Sequence, residues 1–290
     1  MKYFKQDTQM LPSITIPTTI RRSANFMQLL SSSLTVKFSD KLFRSPINFA
    51  IPKREVTMWE SAQKKRVFIK NIEKQVDVLS YGYSQKKVLL VHGWSGRSTQ
   101  LFTLADKLLE KGYMVISFDG PAHGKSEGNR TMMPDFIETV TQLDEEFGPF
   151  ISAVGHSFGG MVLYNTANIL NFKNFVTIGA GDKISTIIDR FVFNLGLKPT
   201  IGRRLKTHYD QLWNMDINTF SSSKCAEDIT CPVLIVHDSK DADVAVSCAL
   251  SIRQKLTNGV LFITKGLGHT KILRHKQTMS KVVEFIQTNQ

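Results

Sequence analysis

Residues 154–160 read VGHSFGG and set Ser157 between Gly155 and Gly159 in the spacing G-x-S-x-G. A serine hydroxyl is a weak nucleophile at neutral pH. To attack a carbonyl it has to be held exposed, beside a base and near donors that stabilise an oxyanion. A sharp turn supplies the exposure, and it calls for glycine on either side because a Cβ there would collide as strand and helix approach each other. The helix expected after the turn points its N-terminal N–H groups toward the reacting centre. The competing reading is a tight glycine turn with an incidental serine, and five residues alone do not separate the two.

Other segments carry matching chemistry. HGWSG, residues 92–96, follows the apolar run KVLLV. The N–H of Trp94 in this loop is a candidate to share an oxyanion hole with the N–H of Phe158. Asp238, Asp241 and Asp243 close the run VLIVHDSKDADV, and each is a carboxylate at the C-terminal edge of a predicted strand. His269 follows the last apolar run and the pair Gly266 and Gly268. An imidazole with a reference pKa of about 6.5 can take a serine proton and return it to a leaving group. The remaining histidines have plainer settings: His92 and His156 in glycine motifs, His123 in a turn, His208 in a helical stretch, His237 at a strand end and His275 in the last helix.

These residues need a scaffold, and the hydropathy pattern describes one. Short runs EVTMW, RVFIK and QVDVLSYG from Glu55 onward predict an antiparallel opening to a sheet. Strand-like KVLLVHG, YMVISFD, FISAVGH, NFVTIGA, CPVLIVHD and GVLFITKG then alternate with helical segments, ending in a helix over 276–288. Such alternation implies right-handed crossovers and a mostly parallel sheet with helices on both faces. It breaks between Gly181 and Asp228, where helical turns appear and no strand does. The expected organisation is a basic extension over 1–54, a core over 55–182 and 229–290, and a helical insertion over 183–228. One amphipathic helix is predicted from about Ala24 to Phe43, belonging to an arm, a strap across the main domain or a surface-binding element.

Composition removes several function classes. The 290-residue chain has 42% hydrophobic and 21% charged residues, an ordinary globular balance. Its net charge of +12 first suggests nucleic acid, but residues 1–54 hold nine Lys and Arg against Asp7 and Asp40 and so supply +7 of it. The rest shows no zinc-finger spacing, RNP-type motif or basic heptad, so no nucleic-acid partner is expected. Three cysteines, Cys225, Cys231 and Cys248, have no metal-type pairing and cannot staple a chain of this length, which favours a cytoplasmic setting. No signal-length apolar run or membrane span is expected.

The Ser157 turn, the His92-Gly93 loop, the late acid and the final histidine together resemble the α/β-hydrolase superfamily, over about Val88 to the C-terminus. FDGPAHGKS, residues 118–126, is similar to the family's D-x-x-G-H-G-x-S turn, with Ala122 where glycine is usual; Asp119, His123 and Ser126 are read as structural turn residues. Similarity to the pattern H-G-x-x-D-x-x-V selects Asp241 as the acid, although Asp238 stands where glycine is more usual. The resemblance implies an α/β-hydrolase fold with residues 183–228 as a small cap. It also implies a triad of Ser157, Asp241 and His269, an oxyanion hole of Trp94 and Phe158, and acyl transfer to water without metal or organic cofactor. A serine at the turn argues against relatives that use a carboxylate there. The substrate expected is a small-molecule ester with a small or medium acyl group, its pocket lined by Trp94, Phe191 and Trp213, with Phe193, Leu195, Leu197, Leu205 and Met215 as further candidates. The alternatives are an amidase, thioesterase or C–C bond hydrolase with the same triad, or a non-catalytic binding protein on the same fold. If the basic arm is a peripheral tether, deleting residues 1–45 should leave the serine reactive.

Overall fold

The computed structural model describes residue 12 and residues 15–290. Two helices open the described chain, α1 (Thr18–Leu30) and α2 (Ser32–Arg44), followed by the short α3 (Val56–Ser61). The first strands are β1 (Gln63–Ile69), β2 (Lys74–Tyr81) and β3 (Lys87–Val91). Then come α4 (Phe102–Glu110), β4 (Met114–Phe118), α5 (Met133–Phe147), β5 (Ser152–His156), α6 (Phe158–Thr166) and β6 (Asn174–Ile178). The stretch 179–232 contributes α7 (Ile184–Asn194), α8 (Pro199–Trp213) and α9 (Ser222–Cys225), with no strand. The chain closes with β7 (Val233–Asp238), α10 (Val246–Lys255), β8 (Gly259–Thr264), α11 (Gly268–Lys271) and α12 (Lys276–Thr288).

Eight strands form one sheet in the order β1-β2-β4-β3-β5-β6-β7-β8. β1 pairs antiparallel with β2, and β2 with β4; every other pairing is parallel. This is the antiparallel opening and parallel body that the hydropathy pattern predicts. Alternate side chains divide the core between the two faces, as the strand period of two requires. Leu89, Val91, Ala153 and Phe175 pack with Phe136, Val140, Met161 and Ile252 of α5, α6 and α10. Val88, Leu90, Val154 and Val176 pack with Leu104, Leu108, Val282 and Ile286 of α4 and α12 on the other face. No helix among the described residues is long and apolar enough to cross a membrane.

Two local expectations are corrected. EVTMW is not a strand: a 3₁₀ turn and α3 run from Lys53 to Ser61. Local β propensity in Val56 and Thr57 yields to tertiary bonds, because Glu55 is buried under a fork from Arg97 (Nε–Oε2 2.7 Å, Nη2–Oε1 2.9 Å) and the Thr99 hydroxyl (2.7 Å), while Met58 enters the core. The single helix over 24–43 is two. Ser31 is extended (φ −160°, ψ 125°), and its Oγ accepts the Leu34 N–H at 3.4 Å to start α2 anew.

The arm lies on the helices between β6 and β7. Asn25 Nδ2 donates to the Leu195 carbonyl (3.2 Å), Gln28 Oε1 accepts the Lys198 N–H (2.7 Å), and Phe43 meets Phe191 and Tyr209 with ring centroids 5.1 and 5.9 Å apart. Beyond α2 the chain reaches the loop after β3, where Ser95 Oγ accepts the Ile47 N–H at 2.9 Å.

Candidate active site

Ser157 follows β5 directly and precedes the first residue of α6, with φ 52° and ψ −115°. A non-glycine residue in that region is strained and persists only where its surroundings fix it. Here the Ser157 N–H donates to the Ile178 carbonyl (2.8 Å), and its own carbonyl accepts the N–H groups of Gly160 (3.0 Å) and Met161 (3.2 Å). The flanking glycines are steric requirements. A Cβ on Gly155 would stand 2.5 Å from the Gly159 carbonyl oxygen, and one on Gly159 would stand 2.3 Å from that of Val91.

The loop after β3 comes up beside the serine: a Cβ on Gly93 would lie 3.1 Å from Ser157 Cβ. Trp94 follows, its ring edge-on to Phe158 at 5.4 Å and to His123 at 5.3 Å. Among the described residues neither the Trp94 nor the Phe158 N–H has a hydrogen-bond acceptor.

Two histidines fasten that loop. His92 Nδ1 donates to the Gly93 carbonyl (2.7 Å) while Nε2 accepts the Gly120 N–H (2.8 Å). His123 Nδ1 donates to the Pro121 carbonyl (3.0 Å) and Nε2 accepts the Ser95 N–H (3.0 Å). A ring that donates at one nitrogen and accepts at the other is neutral. Burial pushes His92 down to about 4 and His123 to about 3. Asp119 accepts the Ser98 and Lys125 N–H groups (2.7 and 2.8 Å), and the Ser126 hydroxyl donates to its carbonyl, so all three residues of the 118–126 turn act as braces. Ala122 holds φ 65° there, a left-handed position that favours glycine.

Asp241 and His269 meet on the far side of β6. His269 Nδ1 lies 2.7 Å from Asp241 Oδ2, with side-chain exposures of 7% and 1%. Asp241 Oδ1 accepts the N–H groups of Asp243 (2.8 Å) and Val244 (2.9 Å), which turns Oδ2 toward the imidazole. Burial works to raise the Asp241 pKa, but the hydrogen bond and charge of His269, the Val244 N–H and His237 outweigh it and hold the carboxyl below its ordinary value. Gly179, φ 62°, sits between this pair and the serine turn: a Cβ on it would come 3.2 Å from His269 Nδ1 and 3.4 Å from Asp241 Oδ2. Ligand atoms of Asp241, Asp243 and His269 lie within 4.8 Å of one another. Asp241 Oδ2 already faces the His269 Nδ1 proton, and its Oδ1 accepts two backbone N–H groups.

Three residues outside the expected triad hold it in shape. Asp238 accepts the Lys240 and Gly266 N–H groups on Oδ1 (2.9 and 3.1 Å), and the Thr264 hydroxyl and Leu267 N–H on Oδ2 (2.7 and 2.9 Å), clamping the loop that carries His269. Burial opposes its ionisation, yet these donors, with the Gly268 N–H, pull its pKa below the usual value. His156 Nε2 donates to the His269 carbonyl (3.0 Å), the two rings 4.7 Å apart. His237 Nε2 donates to the Val244 carbonyl (3.0 Å) and lies 3.7 Å from Asp241 Oδ2. The available signal was position: His156 adjoins Ser157, while His237 and Asp238 end the strand that leads to Asp241.

Phe191 packs edge-on against Phe43 of the arm, and Trp213 stacks on Tyr209 at 5.5 Å within α8. Leu195, Leu197 and Leu205 are buried, whereas Phe193 is 79% and Met215 38% exposed. Arg190 of α7 donates to the Ala242 carbonyl, tying that helix to the loop bearing Asp241.

A sequence model described as "Alpha/beta hydrolase family" matches residues 88–284, and the chain belongs to that family. Solved structures share the fold: an esterase (Pf2001) from Pyrococcus furiosus is 17% identical over 84% of this chain and 96% of its own (TM-score 0.64). An esterase from Exiguobacterium antarcticum is 15% identical over 78% and 100% (TM-score 0.61), and a bromoperoxidase from Bacillus anthracis 19% identical over 78% and 100% (TM-score 0.60). Among curated proteins none matches the chain.

Proposed function

We propose that this protein is a serine hydrolase of carboxylic esters with a small or medium acyl group, using Ser157 as nucleophile, His269 as base and Asp241 as the acid that orients it. The observation that carries the reading is the 2.7 Å contact between His269 Nδ1 and Asp241 Oδ2 at the strand edge beside the strained Ser157 turn. Asp241 fixes the tautomer in which Nδ1 carries the proton, which leaves the Nε2 lone pair to take the Ser157 proton. Ser157 Oγ then bonds to the acyl carbon, and the carbonyl oxygen becomes an oxyanion facing the N–H groups of Trp94 and Phe158. Collapse breaks the ester C–O bond, and the alcohol leaves with the proton from Nε2. Water enters, gives a proton to Nε2 and attacks the acyl carbon; the second collapse returns that proton to Ser157 and releases the acid. In this reading residues 183–228 form a cap over the site, which Arg190 helps to seat.

The test is labelling of the purified chain by a fluorophosphonate, followed by an ester, thioester and amide panel. Labelling of the native chain, absent in Ser157→Ala and lowered about 10³-fold or more in His269→Ala, is expected, with esters hydrolysed fastest. A folded chain that is never labelled would favour a binding protein on this fold, and preference for amides or thioesters would reassign the substrate while keeping the triad.

A further inference from the structure

α1 packs inward through Ala24, which is fully buried. Phe26, Leu29 and Leu30 stand two, five and six residues further on, about 200°, 140° and 240° round the helix, and therefore face away from the body. They are 62%, 81% and 64% exposed, and Leu34, just past the Ser31 corner, is 45% exposed. Burial by a neighbouring element does not explain them: the arm already makes its contacts with α7 and α8 through Asn25, Gln28 and Phe43. Of fifteen large hydrophobic side chains exposed among the described residues, six fall between 26 and 49, the other two being Ile47 and Phe49. Soluble surfaces scatter such side chains singly, so a cluster on one corner calls for an occupant.

The charge around the corner narrows the occupant. Arg21, Arg22, Lys37 and Lys41 are exposed on the same two helices, and the one carboxylate of α1 and α2, Asp40, is buried against Arg44 at 2.8 Å. Arg22 lies four residues before Phe26, and Lys37 three after Leu34, so cations flank the apolar stripe at both ends. Apolar side chains at the centre of a helical face with Lys and Arg at its borders are what an anionic bilayer surface accommodates: the stripe enters the acyl boundary and the cations meet phosphates. An acidic protein surface would pair with the cations but leave the leucines and phenylalanine without an apolar medium.

We propose that the outward face of α1 and α2, centred on Phe26, Leu29, Leu30 and Leu34, docks on an anionic lipid bilayer. Docking holds the α7–α8 side of the molecule against the membrane.

The experiment is co-sedimentation of the full chain with vesicles of mixed phosphatidylglycerol and phosphatidylcholine, against vesicles of phosphatidylcholine alone. Binding to the mixed vesicles is expected, weaker on the neutral ones by about tenfold or more and falling as salt shortens the Debye length from about 10 Å at 0.1 M to about 3 Å at 1 M. The variant Phe26→Ser/Leu29→Ser/Leu30→Ser should keep the native circular dichroism and melting temperature, since these side chains are exposed, and lose binding to both. A second variant, Arg22→Glu/Lys37→Glu/Lys41→Glu, should lose only the preference for anionic vesicles. No binding to the mixed vesicles, or binding unchanged in both variants, overturns the proposal. So does a concentration-dependent dimer in light scattering that the serine variant abolishes, which would assign this face to a second copy of the chain.

Discussion

Asp238 illustrates how one buried carboxylate can fix the loop that carries a candidate base. Its two oxygens accept four hydrogen bonds from the loop segments around Lys240 and Thr264 to Leu267, and that loop delivers His269. Asp238→Asn replaces one acceptor with an NH₂ group, which would face either the Thr264 hydroxyl and Leu267 N–H or the Lys240 and Gly266 N–H groups. Loss of such charge-assisted bonds should cost about 2 kcal/mol of stability. The signature that separates positioning from mere structure is kinetic: fluorophosphonate labelling and kcat should fall together by about tenfold or more with KM little changed, because the Asp238 oxygens are taken up by donors of the loop itself. Full kcat in a destabilised variant would make Asp238 a purely structural residue. His156 and Gly179 belong to the same class of support, the first by its bond to the His269 carbonyl and the second by leaving room for the Asp241–His269 contact.

At the scale of elements, the arm is built into the molecule by the apolar contact of Phe43 with Phe191 and Tyr209 and by the Ile47–Ser95 bond beside Trp94. Removing residues 1–45 takes Phe43 off Phe191 and Tyr209, so we expect the truncated chain to melt lower and to aggregate. Phe43→Ala, which removes one half-buried ring, should cost about 2 kcal/mol, read as a lower urea midpoint. A truncated chain that melts and labels like the full one would make the arm a peripheral tether. The sequence carried little of this, because a helix that borrows its stability from another element shows only amphipathicity, and amphipathicity names no partner. The same limit explains α3, whose β-rich letters lost to the buried Glu55–Arg97 fork, and the break at Ser31, where a cap divides one apolar period into two helices. The inner parallel strands β3 to β7 were legible for the opposite reason: a strand buried on both faces reads as an unbroken apolar run ending at Gly or Asp, whatever packs on it. The order of Ser157, Asp241 and His269 along the chain was legible through those strand ends, while Asp238, His156 and Gly179 were not, since a clamp or a space has no motif of its own.

Over the whole molecule, the loops beneath the site are held by histidines that burial favours in the neutral form. Burial pushes His92 to about 4, His123 to about 3 and His156 to about 3, and lowers His237 as well. The hydrogen bonds agree for His92 and His123, because each ring accepts a backbone N–H that an imidazolium could not accept. In the unfolded chain each would titrate near 6.5. Between about 6.5 and the folded values the unfolded state therefore binds protons that the folded state refuses, so stability is fully present above about 6.5 and drains away as pH falls. The loss should be on the order of 2 kcal/mol for each such histidine by about pH 5. Asp241 has the same sign but a lower window: its lowered pKa contributes stability that disappears only as pH falls below the ordinary 3.8. A urea midpoint that drops steeply between about pH 7.5 and pH 5 is thus expected from the histidines alone. His123→Gln can keep an acceptor for the Ser95 N–H without a titrating ring, and should flatten that slope by one histidine's share while lowering the midpoint slightly at neutral pH. Equal midpoints at the two pH values would mean that the folded protein admits these protons, and the neutral-brace account of the Trp94 loop would fall with them.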